Sequence, residues 1–196
     1  MKKLSLAMVA MCFVACLFVF ACRTPPDSVR VKMDYTPTNI IPPPNSLPDT
    51  AIFIGSFEDK RKTPDQIGEN SEKSKAVPIK VEPAEVIGFV ENAFKREFKR
   101  VGLSLVDSKD QAERILQVSV LNLWVEEKNI YESSIVAQVT VSDKSGKELF
   151  NKNFRALAKR WGSSYDEAEY RKVLSDSIVE LLKNLFNDEA FTKSLT

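Results

Sequence analysis

Histidine is absent from the chain, which removes the commonest general base and the commonest metal ligand. Cysteine is nearly so: Cys12, Cys16 and Cys22 are the whole complement, and none follows position 22. Everything beyond Cys22 therefore lacks a disulfide, a thiolate metal site and a cysteine nucleophile, and must be held by its apolar core. Glycine is scarce, six residues in 196, and no phosphate-binding loop or dinucleotide fingerprint occurs. Neither sign of charge dominates. The net charge is +1, and loss of Lys2 and Lys3 on processing brings it near −1. A nucleic-acid partner requires a basic stripe, and none is visible.

What chemistry remains is thin. Ser163-Ser164 has no histidine to activate it, so a serine triad is excluded. Glu126-Glu127 and Asp166-Glu167 are adjacent acids. They read as solvated strand ends and helix caps rather than as an acid and a base. No catalytic residue, cofactor or metal is expected.

The N-terminus is the most informative stretch. Lys2 and Lys3 precede an uncharged run of 18 residues, Leu4 to Ala21, which ends at Arg23. This is the layout of a secretory signal. The run closes with Val19-Phe20-Ala21-Cys22, which resembles the lipobox of bacterial lipoproteins. Ala21 supplies the small residue before the cleavage point, and Cys22 is the expected lipidation site. Phe20 departs from the usual small residue there. A second reading is an uncleaved anchor, because 18 uncharged residues reach the length of a spanning helix. Both readings put the rest of the chain outside the cytoplasm. Arg23 in place of Asp favours the outer membrane by the enteric sorting rule, with the inner membrane as the alternative.

Residues 1–21 are thus a signal peptide and 22–49 a Pro-rich tether, with seven of the ten prolines between Arg23 and Asp49. Such a stretch is extended and spaces the domain from the bilayer, with a short strand at Val29-Arg30-Val31 as its one element. Residues 50–196 form a single α+β domain. Its first strand runs from Thr50 to Phe57. Residues 58–82, charge-rich and without an apolar period, read as a long loop. A helix opens at Pro83, carries Ile87, Val90, Phe94 and Phe98 on one face, and stops at Gly102. Strands follow at Leu103–Val106, at Ile115–Glu126 with a slip of phase near Leu121, around Ile135–Val141, and after the turn at Asp143–Lys147. A last helix opens with Ser164 and Glu167 as a capping box. It buries Tyr170, Leu174, Ile178, Leu181 and Leu185. Two helices on one face of a mainly antiparallel sheet of four to five strands is the economical solution. Trp124 and Trp161 are expected in the core, and Asp59 and Arg61 are candidate partner contacts or a solvated strand end.

The ordered pattern resembles the YajG family of uncharacterised bacterial lipoproteins. Carrying it are Asp59-Lys60-Arg61, Ile67-Gly68, Arg100-Val101-Gly102-Leu103, Ala112 to Val118, Val139-Thr140-Val141, Gly146, Leu174 to Ile178 and Phe191. The architecture is also similar to auxiliary lipoproteins of transport systems and to the lipopolysaccharide-assembly lipoprotein. The resemblance implies a lipid-anchored, non-enzymatic module with an envelope protein as partner. The alternatives are a lipid-binding carrier and, behind it, a carboxylate-based cell-wall glycan hydrolase.

Overall fold

One strand organises the domain. The computed structural model describes residues 26–42 and 48–196. Within them β6 (Arg114–Lys128) is the longest strand. Leu116, Val118 and Val120 point inward, with Gln117 and Ser119 outward, as the two-residue period requires. The register slips between Val120 and Asn122. This bulge resets the phase, so that Leu123, Val125 and Glu127 become the inward row. The slip expected near Leu121 is therefore real.

The bulge divides the other edge of β6 between two parallel partners. The first half pairs with β2 (Ile52–Asp59), from Ile52↔Arg114 to Asp59↔Val120. The second pairs with β3 (Gln66–Asn70), from Gly68↔Val125 to Asn70↔Glu127. Outside β3 lie β4 (Val77–Lys80) and then β1 (Val29–Arg30); outside β2 lies β5 (Leu105–Val106). On the opposite side β7 (Ile130–Asp143) runs antiparallel along β6, and β8 (Glu148–Arg160) along β7. The sheet has eight strands among the described residues. It is mixed, because the β1–β4, β2–β5, β2–β6 and β3–β6 pairs are parallel.

That corrects the expected sheet of four to five mainly antiparallel strands. The difference lies largely in the segment 58–82. It was expected to be a loop, yet it contains β3 and β4. Its apolar residues are too few to set a period: Ile67, Val77 and Ile79 are buried while Lys73 and Lys75 are exposed. Non-local pairing with β6 makes the strands. Gly68 shows how close that pairing is, for a Cβ there would stand 1.9 Å from the carbonyl oxygen of Val125. Gly68→Ala is expected to cost about 1–3 kcal/mol by overpacking, read as a lowered urea midpoint.

The helices cover the inward face. Helix α1 (Pro83–Arg100) starts on its proline and ends at Val101, with Gly102 at φ +94° carrying the turn out. Helix α2 (Glu167–Phe186) is followed by the short α3 (Glu189–Ser194), giving three α-helices among the described residues rather than two. Its N-cap is Asp166, which accepts from the Ala168 N–H at 2.8 Å. The expected capping box with Ser164 does not form; Ser164 donates instead to Glu72 at 2.6 Å. The space between helices and sheet is filled by aromatic rings. Phe98 packs edge-on against Phe94 and Phe186 at 5.7 and 5.1 Å, and Phe191 meets Phe150 at 5.6 Å. The tryptophans depart from expectation. Trp124 is half-buried on the outward face, and Trp161 is 78% exposed just past the end of β8.

Candidate functional site

Helix α2 carries more buried surface than its apolar stripe needs. Ser175, Asp176, Ser177 and Val179 are buried beside Leu174 and Ile178. Ser177 turns to Ser133 of β7 at 3.0 Å, whereas Ser175 and Asp176 are covered by the segment from Val31 to Ile41, part of the stretch expected to be a spacer. Val31, Met33 and Ile41 are buried on the domain. The segment lies along α1 and α2 as a strap; its first N–H, that of Val31, still meets the Lys80 carbonyl of β4 at 3.0 Å, and past that residue the strap leaves the sheet edge. From there, side chains of the helices satisfy its backbone. The Lys32 N–H donates to Glu167 at 3.1 Å, Met33 N–H to Glu85 at 3.2 Å and Thr36 N–H to Ser175 Oγ at 2.9 Å. Asp176 takes both the N–H and the hydroxyl of Thr38 at 2.7 Å, with the Asn39 N–H at 3.3 Å. Arg160 neutralises Asp176, donating to it at 3.4 Å and to Thr38 Oγ1 at 3.1 Å, and also pairs with Glu169. Tyr35 donates to Glu97, and Arg100 bridges Glu97 to the Ile41 carbonyl. Domain packing thus begins at Val29, not at the boundary near residue 50.

A second polar cluster lies under one end of the sheet. Glu127, 1% exposed, accepts from the Tyr170 hydroxyl and from the Tyr165 N–H at 3.2 Å. Tyr131 packs edge-on against Tyr170 at 4.9 Å; its hydroxyl accepts from the Asp166 N–H and donates to the Ser163 carbonyl. Tyr165 is held at φ +60°, with its hydroxyl buried and unpartnered. That corrects the expected solvated strand end at Glu127: after the phase slip it follows Leu123 and Val125 onto the inward row. Glu126 points the other way into solvent, so these two acids cannot flank a common bond. Asp166 is a cap and Glu167 holds the strap. Among the described residues no group of three or more Asp, Glu, His or Cys could hold a metal ion.

Burial, then the Glu127 carboxylate, pushes the Tyr170 hydroxyl above the usual tyrosine range. For Tyr131 burial again leads, opposed by the Asp166 N–H and reinforced by Glu127. For Tyr35 burial is followed by Glu97. A raised folded value means stability that is whole below the unfolded pKa and lost as pH rises toward the folded one. Stability should therefore fall as pH rises above about 10. Tyr170→Phe should flatten that slope in urea midpoints taken between about pH 9 and 11.

Asp59 and Arg61 are brought together, but inward. Arg61 donates to Asp59 through Nε at 2.9 Å and Nη2 at 2.8 Å, and to the Pro64 and Gln66 carbonyls at 2.7 and 3.2 Å. Its side chain is 4% exposed and that of Asp59 15%. The pair clamps the turn that carries the chain from β2 to β3, and the guanidinium is spent inside the fold. Ala21 and Cys22, the expected cleavage and lipidation residues, lie outside the described residues. A groove of about 590 Å³ runs between α1 and β5 and is lined by Phe53, Leu103, Leu105, Lys95, Lys99 and Asp107 among others.

The fold has solved relatives at low identity. A protein of Xanthomonas campestris assigned to the DUF330 family is 14% identical with a TM-score of 0.50, over 86% of this chain and 92% of that one. An uncharacterized lipoprotein B of Nitrosomonas europaea is 11% identical at a TM-score of 0.39, over 70% and 82%. A minor lipoprotein of Acinetobacter baumannii is 11% identical at 0.38, over 72% and 92%. No curated protein matches significantly. Sequence supplies what these likenesses do not: residues 51–196 match the model of Lipoprotein_16, an uncharacterized lipoprotein, and the chain belongs to that family.

Proposed function

We propose that the protein is a lipoprotein anchored through Cys22 on the periplasmic face of the outer membrane, where its domain serves as a binding or scaffolding module in an envelope complex. The observation that carries this reading is the strap. The chain leaving the anchor is built into the domain from Val29 onward, first as β1 beside β4 and then along α1 and α2, so only a short stretch separates the lipid from the domain. One acyl chain holds a protein only marginally, whereas two or more hold it stably. Membership of a lipoprotein family supports the anchor. The adjacent acids, turned apart or engaged in capping and strap contacts, favour a module over a glycan hydrolase, which needs two facing carboxyl groups. Mass spectrometry of the mature protein beside a Cys22→Ala variant tests the anchor. The expected result is a chain starting at acylated Cys22, and a variant that keeps Met1 and leaves the lipid-modified pool. An intact Met1 in the unmutated protein would overturn the reading. Crosslinking in cells should then return a reproducible envelope protein.

A lipid-carrier reading rests on the α1–β5 groove, where Phe53, Leu103 and Leu105 offer apolar floor beside Lys95 and Lys99. Against it, the interior between helices and sheet is closed by the phenylalanine cluster.

A further inference from the structure

The strap also limits how far the domain can stand from the bilayer. Val29, the first residue paired in the sheet, is seven positions after Cys22. Fully extended, that stretch reaches at most about 25 Å. The Pro-rich stretch therefore cannot act as a long spacer, and the end of the sheet at which the chain arrives stays within that reach of the lipid.

The strand registers identify that end. Strand β1 is parallel to β4, Val29↔Ile79, so the chain upstream of Val29 comes from the side of Val77. Val77 pairs with Asn70, and Asn70 with Glu127. Lys128 pairs with Ile130, and Tyr131 with Arg160. The β3–β4 hairpin, the β6–β7 turn and the connection from β8 to α2 thus share one end of the sheet with the incoming chain. Trp161 is on that end. It follows a strand whose Phe150 and Phe154 are buried, yet it is 78% exposed, and Leu157, four positions earlier, is exposed too. From β1 to β8 there are five strand spacings, about 24 Å at roughly 4.8 Å each. A bilayer surface spans that distance without strain. Tryptophan is the side chain that gains most at such an interface, with an apolar ring and one N–H donor for the headgroup layer.

We propose that this end of the sheet lies against the membrane, with Trp161 seated among the lipid headgroups. The inference rests on acylation of Cys22. Charges around the contact are mixed: Lys73, Lys75 and Lys128 are exposed there, and so are Glu72 and Glu126. Seating therefore depends on the ring and the anchor, and is expected to be insensitive to salt.

The test uses the full lipidated chain in vesicles of phosphatidylethanolamine and phosphatidylglycerol, with or without acyl-brominated phospholipid. The chain has two tryptophans, so Trp124→Phe leaves Trp161 as the sole reporter and Trp161→Phe leaves Trp124. Brominated lipid should quench Trp161 at least two-fold and leave Trp124 unchanged, at low and high salt alike. Quenching of Trp124 instead would overturn the orientation, and so would a Trp161 reached only by aqueous iodide. Mass spectrometry of the same samples separates the two readings. An acylated chain with an unquenched Trp161 overturns the seating alone, and an unacylated one overturns the anchor as well.

Discussion

A soluble chain beginning at Pro48 is expected to be less stable than one beginning at Pro26 by about 4 kcal/mol. That figure is about the low end of what burying Val31, Met33 and Ile41 contributes at roughly 1.5–3 kcal/mol each, with the ordering of the strap taken as offset by its hydrogen bonds to the helices. All three are buried on the domain. Without the strap, Asp176 and Ser175 lose their backbone donors, and the Tyr35 hydroxyl no longer meets Glu97. At about 2 kcal/mol per molar of urea, the midpoint should fall by about 2 M. A simple spacer could be removed with no shift, so coincident midpoints would refute the strap as a part of the fold. Asp176→Asn in the longer chain should give a smaller loss, because the amide oxygen still accepts from Thr38 while Arg160 keeps Glu169.

Asp59→Ala is expected to cost about 3–5 kcal/mol, the usual penalty when one partner of a buried ion pair is removed. Arg61 would remain with its guanidinium inside the β2–β3 turn and only the Pro64 and Gln66 carbonyls to meet it. The pair also has a pH signature. Burial pushes the Asp59 carboxyl up, but the Arg61 side-chain bonds, its backbone N–H and its charge together outweigh burial and hold the group below its ordinary value. A depressed folded pKa stabilises above the unfolded value near about 4 and loses that stabilisation as pH falls through the folded one. Urea midpoints between about pH 5 and 2 should drop more steeply for the unmutated chain than for Asp59→Asn. Equal slopes would mean that the clamp is not charged. A mild effect of Asp59→Ala, under about 1 kcal/mol, would return the pair to the status of a surface contact.

Much of the domain was legible because its signals are local. Helix α1 shows in the spacing of Val90, Phe94 and Phe98, with Pro83 and Gly102 as its limits. The three long strands show in their alternation, and the bulge in the slip at Leu121. Other features were not legible, each for a physical cause. Strand β3 has one buried aliphatic side chain, Ile67, and exists because β6 offers it an edge. Asp59 and Arg61 have the composition of a solvated turn; only the turn's closure places the guanidinium among carbonyls. Trp161 looked like core by its residue type, but its strand ends one residue before it.

By itself, the sequence determined the exclusion of histidine and cysteine chemistry from the domain, the order of the main elements and the α+β class, and it favoured Cys22 among three cysteines for lipidation. Tertiary structure decided that the proline-rich stretch belongs to the fold from Val29, that Asp176 and Glu97 serve to hold it, that Glu127 is buried among tyrosines and that Trp161 stands free at the end where the chain arrives. The division has one cause. Period, cap and turn signals act over a few residues of chain, whereas the strap, the clamp and the sheet end are made by residues tens of positions apart, whose meeting is settled only when the sheet assembles.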